Sequence, residues 1–131
     1  MEHILPLDAK IEKMLYSMGI VPTYRGYARL AAAIRAACGG AAPGRALYEA
    51  IAAAQGGTAA GVRANIRAVM RRAQKVGGPF CTRVTGWNGL GAPPSTDAFV
   101  RACAAWVSGH AAVLEYDFRF DMTTVRWKSI I

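Results

Sequence analysis

The chain has 131 residues, 53% of them apolar, with 16 Lys and Arg against 8 Asp and Glu, for a formal charge of +8. That length supports one hydrophobic core and excludes two ordinary domains. No run of about 18 uncharged apolar residues exists to cross a bilayer, so a membrane-spanning reading is excluded as well.

In chain order, the opening MEHILPLDAKIEKML has acids at Glu2 and Asp8 and lacks the basic, apolar, small-residue order of a secretory signal. The cytoplasm is the expected location. In DAKIEKMLYSMG, Ile11, Leu15 and Met18 fall at helical spacing, with Asp8 as the expected N-cap and Gly19 as the stop. After Val21-Pro22, YRGYARLAAAIRAACGG places Tyr27, Leu30, Ile34 and Cys38 on one stripe before Gly39-Gly40. A third helix is expected in PGRALYEAIAAAQ, with Pro43 in its first turn and Leu47, Ala50, Ile51 and Ala54 facing inward. Gly56-Gly57 then turns the chain.

Thr58 is expected to cap a fourth helix whose Val62, Ile66, Val69, Met70 and Ala73 share one side. Beside that stripe Arg63, Arg67, Arg71 and Lys75 form an i, i+4 ladder of like charge facing outward. Such neighbours repel by roughly a few tenths of a kcal/mol per pair, a cost that an anionic partner reverses. Between Glu49 and Asp97 there is no acid, and Arg63, Arg67, Arg71, Arg72, Lys75 and Arg83 all fall in that window. A surface of this kind attracts nucleic acid, an anionic membrane face or an acidic protein; the competing reading is a basic face that is simply solvated.

A short helix, a glycine turn and a second helix with an outward basic face is the order of a helix-turn-helix, whose second helix enters the major groove. The sequence also resembles the C-terminal DNA-binding domain of the sporulation initiation response regulator, sporulation stage zero A. The resemblance runs through IEKMLYSMGIVPTYRGYARLAAAI at 11–34, TAAGVRANIRAVMRRAQKVG at 58–77 and PPSTDAFVRACAAWV at 93–107. It implies a mainly α domain of about six helices over residues 1–109. The helix-turn-helix lies at about 46–75, and the domain acts on double-stranded DNA in transcription regulation.

Taken with the charge ladder, it selects Thr58, Ala60, Gly61, Arg63, Ala64, Arg67, Arg71, Arg72 and Lys75 as the DNA-contacting set. Thr58, Ala59, Val62, Ile66, Arg67 and Gly77 match the family. The family usually has arginine at the position of Gly61, glutamate at Arg63, arginine at Ala64 and histidine at Ala68, all facing the groove. These departures weaken base readout, while Arg63, Arg71 and Arg72 add charge suited to phosphate. The family's phosphoryl-accepting receiver domain has no expected counterpart here. The alternative to a regulator is a protein-interaction module that keeps the fold and modulates a related regulator without specific DNA binding.

The segment AAVLEYDFRFDMTTVRWKSII has no counterpart in the family. Leu114, Tyr116, Phe118, Phe120 and Met122 alternate with Glu115, Asp117, Arg119 and Asp121, the period of a strand. Val125, Trp127 and Ser129 continue the pattern, so residues 110–131 are expected to form a C-terminal β-hairpin-like extension. The hairpin either covers the helical core or pairs with a second copy to make a homodimer.

Other residues carry bland readings. Cys38, Cys81 and Cys103 lack metal-ligand spacing and read as reduced, buried thiols. Trp87 reads as core, and GWNGLG lacks the strand and lysine of a phosphate loop. Tyr24 and Arg25 precede a helix within reach of a phosphate, whereas Tyr27 is expected to pack. No nucleophile, base and orienting group assemble into a catalytic set, so no enzyme activity, cofactor, metal or small-molecule ligand is expected.

Overall fold

The computed structural model describes residues 6–109, which are mainly α-helical, without a strand. The expected hairpin of residues 110–131, its dimer contact and the boundary at 109/110 lie outside the described residues.

Helix α1 spans Leu7–Ser17 and buries Ile11, Met14 and Leu15. It starts one residue before the expected cap. Pro6 takes the N-cap position, its carbonyl accepting from the Lys10 N–H at 3.0 Å. Asp8 sits inside the first turn instead and pairs with Arg35 of α2 at 2.6 Å. The expected stop is observed: Gly19 takes φ +82, and the Ile20 N–H donates back to the Leu15 carbonyl at 2.9 Å. That left-handed closure buries Ile20 beneath the helix end.

Helix α2, Tyr27–Cys38, buries Leu30, Ala33 and Ile34, and closes in the same way through Gly40 at φ +107. Helix α3, Arg45–Gln55, begins after Pro43, with Gly44 at the N-cap. Its buried stripe is Leu47, Tyr48, Ile51 and Ala52; Ala50 and Ala54, expected inward, are exposed. The large Tyr48 ring, fully buried, draws the helix round toward itself and leaves the alanines outside.

Helix α4, Ala59–Val76, buries Val62, Ile66, Val69, Met70 and Ala73, as its period predicts. Gly77 ends it for a spatial reason rather than a torsional one. A Cβ at Gly77 would lie 2.5 Å from the Ala73 carbonyl oxygen, 2.9 Å from the Cys81 Cβ and 3.1 Å from the Met18 carbonyl oxygen. Only hydrogen fits where the ends of α1 and α4 meet the start of α5.

The short α5, Gly78–Thr85, places Phe80 edge-on to Trp106 of α6, with ring centroids 5.5 Å apart. Helix α6, Thr96–Gly109, packs chiefly on α2 and buries Phe99, Val100, Cys103 and Val107. The α2–α6 and α3–α4 pairs make the broadest packings of a single core that all six helices share. No helix of the described residues is long and apolar enough to cross a membrane.

Two bland readings need correction. Trp87 is not in the core: it is half-buried in the α5–α6 loop, its indole N–H donating to the Leu90 carbonyl at 3.0 Å. Asn88 and the glycines around it keep that loop local, so the indole folds back on its own segment. Cys81 and Cys103 are buried free thiols, and burial raises the pKa of each. Cys38 is only half-buried at the end of α2, within sulfur hydrogen-bond range of the Ala104 carbonyl and Ser108.

Candidate nucleic-acid interface

The α3–α4 turn is short, and its geometry follows from its residues. Gly56 and Gly57 take φ +96 and +92, a backbone region that side chains resist. Thr58 is extended and its Oγ1 accepts from the Gly61 N–H at 3.0 Å, the expected N-cap. Ala60 and Ala64 are exposed beyond it, and Gly61 is half-exposed.

Helix geometry then sorts the cations. A four-residue step advances the side chain by about 40°, so the ladder from Arg63 to Lys75 winds across the helix surface rather than running straight along it. Arg63 begins at the edge of the buried stripe and is half-buried, while Arg67, Arg71 and Lys75 pass through the exposed face. Arg72 lies on the opposite edge from Arg63 and is exposed. Ala64 and Ala68 occupy the exposed face among them.

Arg63 does not face out alone. Its Nη1 is 3.3 Å from Asp97 Oδ1 of α6, and its guanidinium lies 4.9 Å from the centroid of the Tyr48 ring. The Tyr48 hydroxyl donates to the same Asp97 oxygen at 2.6 Å. Burial, then the hydrogen bond to Asp97 and its charge, push the Tyr48 pKa well above the ordinary value, opposed weakly by Arg63 and Arg101. The expectation that the ladder lacks counter-charge therefore fails at its first rung. Arg63 closes a three-helix contact beside an open groove of about 520 Å³ between the starts of α3 and α4.

The turn is braced from α2. Arg29 Nη1 donates to Asn65 Oδ1 at 2.6 Å and Nη2 to the Gly56 carbonyl at 2.7 Å. A Cβ at Gly57 would lie 2.9 Å from that guanidinium, which would have to shift, but it is the positive φ that requires glycine here. Sequence reasoning missed Arg29, because nothing in the spacing of α2 marks a residue whose partners come from two other elements.

On the other edge of α4, Gly26 takes φ +94 and seats the α1–α2 turn on α4: a Cβ there would be 2.9 Å from the Asn65 carbonyl oxygen and 3.1 Å from Val69 Cγ2. Tyr24 from that turn meets Arg72, with 5.0 Å between guanidinium and ring centroid. Tyr27 packs against the core as expected.

Of the expected contact set, Thr58, Ala60 and Arg63 line the groove at the start of α4. Gly61, Ala64, Arg67, Arg71 and Lys75 lie along α4 itself, and Arg72 stands apart on the Tyr24 side. No group of three or more metal-ligating side chains occurs among the described residues. Neither a family model, nor a curated protein, nor a solved structure matches the chain.

Proposed function

We propose that the chain binds double-stranded DNA, using α3 and α4 as a helix-turn-helix with α4 in the major groove, and that it regulates transcription as a relative of the sporulation effector domain. The observation that carries this reading is the exposed face of α4, where Arg67, Arg71 and Lys75 have no ion-pair partner among the described residues. A helix of 18 residues is roughly 27 Å long, and its one exposed face can be presented to a groove about 12 Å wide. Ala64 and Ala68 allow close approach of the helix to base edges, where a small apolar side chain suits a thymine methyl. Arg67, next to them, is the candidate for guanine, and Arg71 and Lys75 for phosphate.

Arg67→Ala is expected to weaken duplex binding by about 1–3 kcal/mol, with the loss concentrated on the preferred sequence. Anisotropy titrations on preferred and scrambled duplexes measure it. No loss on either duplex would remove α4 from the groove.

One observation favours the second reading, a protein-interaction module. Gly61, Ala64 and Ala68 offer no polar group to a base, and Arg63 is committed to Asp97. A module of that kind binds through contacts that salt screens weakly, whereas phosphate contacts lose affinity linearly with log salt.

A further inference from the structure

Beside the exposed face of α4 lies a groove of about 380 Å³ that the ladder does not include, lined by Thr23, Tyr24, Arg25, Ala68, Val69 and Arg72. Resting on the DNA-binding reading above, we propose that this groove is a phosphate clamp. Arg25 and Arg72 together take one backbone phosphate of the duplex whose bases face α4.

Three features make the groove a built site. Its two cations come from different elements, which Gly26 brings into close packing: the turn carrying Arg25 rests directly on the Asn65 carbonyl and Val69 of α4. Arg72 has its guanidinium carbon over the Tyr24 ring, 5.0 Å from the centroid, a cation–π contact that restrains the side chain. A cation–π contact uses the charge of the guanidinium without consuming its N–H donors on an acceptor, so they remain for phosphate oxygens. Holding the side chain beforehand also lowers the entropy lost on binding.

Charge selects the occupant. Arg25 is exposed, and neither it nor Arg72 has an ion pair among the described residues. Among the described residues, none that lines the groove is acidic. A carboxylate or a phosphate can bridge two arginines; on the DNA-binding reading the occupant is a backbone phosphate, whose oxygens accept from both at once. The groove opens next to Ala68 on the exposed face of α4, so a helix seated in a major groove brings a flanking strand to it.

The test is a double-mutant cycle with Arg25→Gln and Arg72→Gln, read by anisotropy of a short labelled duplex at several salt concentrations. Circular dichroism checks the fold, which both exposed side chains leave intact. A shared phosphate predicts a severalfold loss for each single change and about a tenfold loss for the pair, less than the product of the singles. The salt slope of the double variant falls by about 0.9, one phosphate. Tyr24→Leu weakens binding without changing that slope.

A fall of about 1.8 with multiplicative losses means two separate phosphates and overturns the clamp. A double variant with wild-type affinity and slope, alongside a weakened Arg67→Ala, removes the groove and leaves the DNA-binding reading standing. Wild-type protein that shows no salt-dependent duplex binding overturns both.

Discussion

The two ends of the α4 ladder carry the same charge and meet different fates. At the start, Arg63 is enclosed by Tyr48 from α3 and Asp97 from α6. Further along, Arg67, Arg71 and Lys75 have no such neighbours and stay in solvent. The difference arises from the angular drift of an i, i+4 series combined with where the other helices lie. Period decides which side chains leave the core, and topology decides which of them find a partner outside it. A cation with an ion-pair partner in the protein contributes to stability, whereas one without such a partner is available to an anionic ligand.

Removing the unpaired set tests the division most strongly. Arg67, Arg71 and Lys75 changed together to alanine should lower duplex affinity more than tenfold, the salt slope falling by about 0.9 for each phosphate released. Stability, followed by urea denaturation, should stay within about 0.5 kcal/mol, as for exposed surface changes generally. A large stability loss would show that these residues hold the fold and would erase the contrast.

Arg63→Ala should do the reverse. It leaves the Asp97 carboxylate without its counter-charge and uncovers the Tyr48 ring, a loss of about 1 kcal/mol in urea. The salt slope on DNA should change by less than one phosphate's worth, about 0.9. A full unit of slope would mean that Arg63 leaves Asp97 when DNA binds.

Tyr48→Phe is the mildest probe, because it keeps the ring and removes only the hydroxyl that donates to Asp97. At neutral pH the cost should be about 0.5–1.5 kcal/mol. The pH dependence adds a sign. Folding raises the Tyr48 pKa above 10.0, so the folded state keeps a proton that the unfolded state releases. The contribution is complete below about pH 10 and declines as pH climbs beyond it. Wild type should therefore lose its advantage over the phenylalanine variant in alkaline buffer, measured as the gap between denaturation midpoints.

How much of this was legible in the sequence depended on how local the cause was. The stripe of α4, the Thr58 cap and the glycine closures after α1 and α2 were readable, because each is set by residues within a few positions of one another. The stripe of α3 was misjudged, because alanine fits either side of a helix and Tyr48 with its distant Asp97 settled the rotation. The place of Asp8 is not legible for a related reason: Pro6 occupies the N-cap position without a side-chain cap, and the carboxylate pairs with Arg35 on another helix. At the candidate site the exposed cations were legible from spacing and from the lack of acids. The Arg63–Asp97 pair and the Arg29 brace were not, since both depend on helices far apart in the chain.

Gly77, where no side chain fits, lets one end of α4 pack closely against the Met18 carbonyl and α5, and Arg29 fastens the other end at Gly56 and Asn65. A rod secured at both ends has no folding step to complete when a ligand arrives. On the proposed DNA-binding reading, recognition by α4 is then a one-step encounter in kinetic terms. Ionic strength sets its association rate through electrostatic steering, and differences among sequences appear almost wholly as residence time.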